Sequence, residues 1–198
     1  MTPALIVVDM IKDNIETEKH LGIAQEAKSI LPNLCFFINY FREKGFPVIY
    51  ANDSFLKNDF IFRGKMKEHA VRGTNGTQVI DIISPKQDDI IINKLRFSAF
   101  YKTDLDQILR RLGVDTVFVV GISTMWCVFL TATDALSNDF YTIIVEDLSA
   151  CHKKEIHDKF VDLYKNFPLF PLFRFLTSQE AVDLINRSDG PSSLCVRS

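Results

Sequence analysis

Six short runs of almost continuously apolar, β-branched residues recur along the chain, and each is followed by a segment with helical spacing. The runs are Ala4–Asp9, Pro47–Ala51, Ile90–Asn93, Thr116–Gly121, Tyr141–Glu146 and Leu172–Leu176. Strands buried on both faces of a parallel sheet have this composition, because neither face is left for polar residues. Strands that alternate with helices form right-handed βαβ units. The pattern therefore predicts an α/β fold, a doubly wound parallel sheet with helices on both faces.

The segments with helical spacing predict five helices. They are Ser29–Lys44, Thr103–Leu112, Thr124–Leu136, Lys153–Asn166 and Ser178–Asn186. In the first of these, apolar residues at spacings of three and four form one stripe, Gly45 ends the helix, and Pro32 fits its first turn. A long polar connection, Asn52–Gln78, shows neither pattern, and loops of that length in compact domains are usually functional.

Length and charge limit what the chain can do. Its 198 residues suit a single domain, which we place at residues 1–187, with a polar tail at 188–198 that we expect to be poorly ordered. A formal net charge of -2 provides no basic face for nucleic acid and no polybasic patch for a membrane surface. We expect no targeting or membrane-spanning segment. Four cysteines without a C-x-x-C pair indicate a reduced, cytoplasmic protein.

Polar residues directly follow the predicted strands, at the carboxyl ends where open α/β sheets bind ligands. They are Asp9, Asn52, Asp53, Lys94, the stretch 121–127 and Asp147. We expect an aspartate, a lysine and a cysteine to converge on this rim. No glycine-rich phosphate-binding motif follows the first strand or occurs elsewhere, so the sequence predicts no dinucleotide or triphosphate cofactor.

Cys127 is the strongest candidate for a reactive group. With Thr124 as N-cap, it falls in the first turn of a predicted helix, where the helix dipole and the ammonium of Lys94 favour a thiolate. A carboxylate beside it, from Asp9, can accept the thiol proton and return it to a leaving amine. Taken singly, each residue has a simpler reading, because cysteine is a common buried apolar residue and rim charges are commonly solvated.

These residues lie in motifs that resemble the isochorismatase-like cysteine hydrolases. The motifs are Ala4–Met10 (ALIVVDM), His69–Thr74 (HAVRGT), Lys94–Phe100 (KLRFSAF), Thr103–Leu105 and Gly121–Ala135 (GISTMWCVFLTATDA). The resemblance runs from Ala4 to about Ala181. It implies a six-stranded parallel sheet, commonly a homo-oligomer, and a triad of Asp9, Lys94 and Cys127 that cleaves a small amide or carbamoyl substrate with release of ammonia.

The resemblance also implies an oxyanion hole. Family members have a cis peptide bond before the nucleophile, which here would join Ile122 to Ser123. Such a bond would turn the N–H of Ser123 toward that of Cys127, so that both face the developing oxyanion.

Two departures from the family pattern bear on metal and substrate. Nicotinamidases of the family hold a metal through Asp-x-His and a later histidine, but here Phe55 replaces the first histidine. Asp53 and His69 remain as candidate ligands, which is one short of a catalytic zinc site, so we predict no metal. Asn14 stands where many members have a substrate-packing phenylalanine, which favours a small polar substrate.

The remaining candidates would line the substrate pocket. Trp126 either walls the pocket or packs under its helix, Arg72 and Arg96 are candidates to bind a substrate carboxylate, and the role of His152 is open. The sequence favours a metal-independent amidohydrolase of the N-carbamoylsarcosine amidase type. The alternatives are a nicotinamidase, a vinyl ether hydrolase of the isochorismatase type, which the presence of Cys127 disfavours, and a non-catalytic binding or oligomerisation module.

Overall fold

The computed structural model describes residues 1–17, 21–166 and 168–188. Its six strands are β1 (Pro3–Val8), β2 (Val48–Asp53), β3 (Ile90–Lys94), β4 (Thr116–Ile122), β5 (Tyr141–Ala150) and β6 (Phe173–Leu176). They form one sheet in the order β3-β2-β1-β4-β5-β6, and every pairing is parallel. The predicted doubly wound α/β fold is confirmed.

The central strands β1, β2 and β4 are buried on both faces, which explains their unbroken apolar runs, whereas Ile91 in the edge strand β3 is 52% exposed. Along β1, Leu5 and Val7 belong to one core cluster, while Ala4, Ile6 and Val8 belong to the other, and all five are fully buried. Burying a side chain of this size contributes about 1.5–3 kcal/mol, so both layers depend on the central strands.

Six α-helices accompany the strands in the described residues. They are α1 (Lys12–Ile15), α2 (Leu21–Glu43), α3 (Leu105–Arg111), α4 (Phe129–Ser137), α5 (Lys154–Lys165) and α6 (Ser178–Ser188). Among the described helices, none combines the length and the apolar character needed to cross a bilayer. The predicted tail at 188–198 lies outside the described residues except for Ser188, which is the last residue of α6.

The first predicted helix was placed too late in the chain. α2 begins at Leu21, and Pro32 lies inside it instead of in its first turn. The apolar stripe extends toward the N-terminus through Ala24 and Ala27, which are both buried. Because these side chains are small, they contribute little to the hydrophobic periodicity by which the helix is predicted. Pro32 is on the exposed side, where the carbonyl that loses its helical partner can be solvated.

Two details around β4 and β5 also differ from the prediction. Ser123, not Thr124, is the N-cap, and Thr124–Val128 forms a π-helix that leads into α4. The register between β4 and β5 jumps, so that Gly121 pairs with Ser149. Asp147 lies within this bulge and accepts hydrogen bonds from the backbone N–H and the hydroxyl of Ser178, so it caps α6 and is not a rim residue.

The long connection between β2 and β3 is tied to α1 by one buried carboxylate. Oδ2 of Asp13 accepts a hydrogen bond from the backbone N–H of Ala70 at 2.8 Å. Gly76 approaches the same carboxylate so closely that a Cβ there would lie 2.2 Å from Cγ of Asp13. The connection is therefore held at the end of the sheet where β1 and β2 terminate.

Gly121 provides a test of the packing between β1 and β4. Its φ is +106°, and an added Cβ would lie 2.2 Å from the carbonyl oxygen of Val8. Gly121→Ala is expected to lower the free energy of unfolding by more than about 3 kcal/mol, since backbone strain and a clash add together. Urea unfolding measures the loss.

Gly113 is the matched control, because its φ is also positive, at +67°, but nothing lies within 4 Å of an added Cβ. Gly113→Ala should lose only about 1–2 kcal/mol from strain. Equal losses in the two variants would show that the contact with Val8 does not constrain the fold.

Candidate active site

The candidate site lies at the point where the strand order reverses, between β1 and β4. Chain connections leave these neighbouring strands in opposite directions, which opens a crevice at their carboxyl ends. Asp9 follows β1, and Cys127 lies in the π-helix after β4. Asp53 and Lys94 are the last residues of β2 and β3, and they are direct register partners. Four consecutive strands of the sheet thus deliver one charged or nucleophilic side chain each.

Lys94 lies at the centre of this group and is fully buried. Its Nζ donates a hydrogen bond to Oδ2 of Asp9 at 2.8 Å and a second, short one to Oδ1 of Asp53. Burial alone would lower the pKa of Lys94, but the charges of Asp53 and Asp9 outweigh it and raise that pKa above its ordinary value. The side chain is therefore a permanent ammonium.

The Asp9 carboxylate is fixed from several directions. Oδ1 accepts the backbone N–H of Asp53 at 2.7 Å, while Lys94 holds Oδ2. The backbone of Asp9 adopts φ +54°, a left-handed conformation that aspartate tolerates better than most residues. Its carbonyl accepts hydrogen bonds from the N–H of Ile11 and from Nδ2 of Asn14. The carboxylate is thus positioned without needing a substrate.

Cys127 is buried next to both carboxylates. One ligand atom from each of Asp9, Asp53 and Cys127 lies within 4.8 Å of the other two. Burial raises the pKa of the Cys127 thiol well above its ordinary value; Lys94 opposes this, whereas Asp9, which also hydrogen-bonds the thiol, and Asp53 add to it. The expectation of a resting thiolate was wrong, because burial and two anions outweigh the one ammonium.

The pKa of the Asp53 carboxyl is also shifted from its ordinary value. Burial and the charge of Asp9 raise its pKa to about 6, against the opposing effect of Lys94 and, more weakly, of His69. Near neutral pH the two carboxylates thus share one ammonium, and the cluster becomes less negative when the solution is acidified through pH 6.

A cavity of about 350 Å³ opens onto this cluster. Its lining residues are Asp9, Asn14, Ile23, Asp53, Phe55, Met66, His69, Phe97, Ile122, Ser123, Trp126 and Cys127. The base is polar and the walls are mainly apolar. Trp126 is 54% exposed and its ring lies 5.5 Å from that of Phe97, so it forms part of the wall and does not pack beneath the helix.

The predicted pocket residues separate into two groups. Asn14 and Trp126 line the cavity, but Arg72 and Arg96 do not. The Arg72 guanidinium donates to the hydroxyl and carbonyl of Ser54, and that of Arg96 pairs with Asp59 at 3.1 Å. Local acceptors thus hold both guanidinium groups away from the site. His152 is exposed and also lies outside the cavity lining.

The two remaining candidate metal ligands, Asp53 and His69, do not fit a zinc centre. The Asp53 carboxylate is engaged by Lys94, and Nδ1 of His69 lies 2.9 Å from the carbonyl of Lys67. The His69 ring packs edge-on against Phe55, with ring centroids 5.5 Å apart. A buried cation, Lys94, already lies between the two carboxylates, and catalytic zinc normally takes three protein ligands.

The backbone beside the nucleophile is also part of the cavity wall. The peptide bond between Ile122 and Ser123 is cis. The carbonyl of Ser123 accepts hydrogen bonds from the N–H groups of Trp126 and Val128, which closes the first turn of the π-helix. Ile122, Ser123 and Cys127 all line the cavity.

Sequence reasoning missed the second role of Asp53, which it treated only as a metal ligand. The available signal was that Asp53 and Lys94 each follow a predicted strand closely and carry opposite charges. Using that signal required the strand order, which places β2 beside β3. Phe97 and Met66 were also missed as cavity residues, because aromatic and thioether side chains in loops carry no distinctive pattern.

The fold and the position of this site are those of Rossmann-like α/β proteins. More specifically, the chain belongs to the isochorismatase family, because the Isochorismatase domain model matches residues 3–180. This confirms the resemblance seen in the sequence.

Among solved structures, N-carbamoylsarcosine amidase from Thermoplasma acidophilum is 34% identical, covers 90% of this chain and 97% of its own, and superposes with a TM-score of 0.73. An isochorismatase-like hydrolase from Alkaliphilus metalliredigens is 30% identical, with coverage of 93% and 100% and a TM-score of 0.82. A curated relative, a probable inactive nicotinamidase of Arabidopsis thaliana, is 31% identical over 164 residues, which are 78% of this chain and 83% of the relative.

The coupling between Asp9 and the thiol predicts an unusual phenotype. Asp9→Asn should speed alkylation of Cys127 by iodoacetamide at pH 7.5 several-fold, because removing an adjacent negative charge lowers the pKa of the thiol. Lys94→Met should slow the alkylation for the opposite reason. Peptide mass spectrometry separates Cys127 from the other thiols, and Cys127→Ala identifies its signal. Equal rates in the wild type and both variants would contradict this electrostatic account.

Proposed function

We propose that this chain is a cysteine amidohydrolase that cleaves a small carbamoyl or amide compound and releases ammonia. The observation that supports it most directly is the convergence of Asp9, Lys94 and Cys127 at the base of the crevice. A thiol, a carboxylate that hydrogen-bonds it and a fixed ammonium are the groups that nucleophilic attack on an amide carbon needs. The relationship to N-carbamoylsarcosine amidase supports the same reaction class.

In the proposed first step, the sulfur of Cys127 attacks the carbonyl carbon while Asp9 takes the thiol proton. A neutral thiol suits this step, because the proton leaves only as the carbon–sulfur bond forms. The carbonyl oxygen becomes an oxyanion, and we assign its stabilisation to the backbone N–H groups of Ser123 and Cys127. Lys94 holds the Asp9 carboxylate in place and balances the charge as the proton moves.

In the second step, Asp9 returns the proton to the leaving nitrogen, the carbon–nitrogen bond breaks and ammonia departs. The acyl or carbamoyl group remains on sulfur as a thioester or thiocarbamate. Water then attacks this carbon while Asp9 accepts its proton, and the carbon–sulfur bond breaks to regenerate the thiol. The products are ammonia and a carboxylic acid, or a carbamic acid that decomposes to an amine and carbon dioxide.

The cavity walls favour a second candidate substrate class. Among the described residues, the lining contains neither lysine nor arginine, so it offers no guanidinium or ammonium for a substrate carboxylate. The rings of Phe55, Phe97 and Trp126 provide surface for an uncharged aromatic amide such as nicotinamide. This second reading shares the same nucleophile and differs from the first only in the substrate.

A substrate panel tests both candidates. Ammonia release is measured for N-carbamoylsarcosine, other N-carbamoyl amino acids, ureidoacrylate and nicotinamide, each with and without a chelator. We expect release from at least one of them, unaffected by the chelator, and a loss of at least about 10³-fold in Cys127→Ala and Cys127→Ser, because the nucleophile is removed. Cys151→Ala, which removes a buried thiol outside this cavity, is the control and should retain activity.

Two outcomes would contradict the proposal. Full activity in Cys127→Ala would exclude the nucleophile assignment. Release that the chelator abolishes would show that a metal takes part, contrary to our interpretation of Phe55. Release from nicotinamide alone would select the second substrate class.

The raised pKa of Asp53 predicts a fall in kcat/KM on the acidic side of the pH profile. Below about pH 6 its carboxyl gains a proton, so that Lys94 is left with Asp9 as its one anionic partner and binds it more tightly, which weakens Asp9 as a base. We expect kcat/KM to fall several-fold between pH 7 and pH 5. Asp53→Asn should have the lower activity already at pH 7 and lack the inflection near pH 6. An unchanged inflection in that variant would assign it to another group.

A further inference from the structure

Thr124 links the catalytic π-helix to a helix outside the site. It is the first residue of the π-helix, lies three positions before Cys127 and is fully buried. Its Oγ1 lies 2.8 Å from Nδ1 of His157, which belongs to α5. Neither residue lines the cavity at Cys127, so neither contacts a substrate there.

The His157 ring is suited to a fixed hydrogen bond. It is partly buried, and burial lowers its pKa, which favours a neutral imidazole near pH 7. The ring also interacts with the backbone carbonyl of Glu146, in the bulge of β5. His157 therefore joins three elements: α5, β5 and the π-helix.

We propose that His157 is a positioning residue, which holds Thr124 and thereby sets the position of Cys127 against Asp9. As far as catalysis is concerned, this inference rests on the proposed function. The hydrogen bond itself and its effect on Cys127 do not depend on the identity of any substrate.

α5 is also joined to the chain that follows the nucleophile by aromatic packing. α5 contacts the start of α4 through rings, since Phe129 lies 5.0 Å from Phe160 and 4.7 Å from Tyr164, measured between centroids. Ring contacts tolerate small sliding motions, whereas a directional hydrogen bond at the first residue of the π-helix does not. Because a displacement of about 1 Å at a reacting atom can cost about 100-fold in rate, this restraint is expected to affect turnover.

The test is a double-mutant cycle with a matched rescue. His157→Phe keeps a ring but removes the hydrogen-bonding nitrogens, while His157→Asn keeps a polar group near the position of Nδ1. Thr124→Val removes the hydroxyl at constant shape, and Thr124→Ser keeps it. We expect kcat to fall about tenfold in His157→Phe and in Thr124→Val, with KM almost unchanged.

The combined variant should also lose about tenfold instead of about 100-fold, because both changes break the same bond. His157→Asn and Thr124→Ser should restore most of the activity. Equal kcat per folded molecule in wild type and His157→Phe, or strictly multiplicative losses in the cycle, would overturn the proposal. Thermal unfolding of each variant supplies the folded fraction, so a general loss of stability is not mistaken for a loss of positioning.

A substrate-independent measurement separates this inference from the proposed function. The rate of alkylation of Cys127 by iodoacetamide should change at least threefold in His157→Phe and return toward wild type in His157→Asn. If no compound releases ammonia but this pattern holds, the positioning role stands and the proposed function fails. If ammonia is released while alkylation and kcat are the same in all variants, the positioning role fails and the proposed function stands.

Discussion

The buried ammonium of Lys94, held between Asp9 and Asp53, is the interaction on which the site depends. Removing an ion from water costs several kcal/mol even after relaxation, and only close opposite charges offset that cost. The two carboxylates come from neighbouring strands, so their contacts with Lys94 also fix how β1, β2 and β3 end relative to one another. The same contacts orient the Asp9 carboxylate toward Cys127. The contacts that stabilise the ends of these strands therefore also position the Asp9 carboxylate for the proposed reaction.

Much of the fold and the centre of the site could be predicted from the sequence, because each depends on a pattern that is local. Apolar runs such as Ala4–Asp9 indicated strands buried on both faces, and polar residues placed just after those runs indicated Asp9, Lys94 and Cys127. The start of α2 was misplaced because its first buried residues, Ala24 and Ala27, are small.

The wrong predictions about the pocket residues have a different cause, because they depend on which hydrogen-bond or ion-pair partner each side chain finds in the folded chain. Arg72 and Arg96 looked available for a substrate, but Ser54 and Asp59 satisfy them first. The ionisation of Cys127 was misjudged for a related reason. Its position at the start of a helix is a local feature that favours a thiolate, whereas its burial beside two carboxylates is produced by chain segments up to 118 residues away in sequence and has the larger effect.

The site is built from two parts of the chain, one N-terminal and one C-terminal, and the order of the strands keeps these parts on separate sides of the sheet. Asp9, Asp53 and Lys94 all belong to the first 94 residues, and β1, β2 and β3 are adjacent in the sheet. The charge cluster can therefore be neutralised within the part of the chain that leaves the ribosome first. The π-helix and α5 are added later, on strands β4 and β5. A change to the nucleophile or to its support in the C-terminal half therefore leaves the buried charge of Lys94 paired with Asp9 and Asp53.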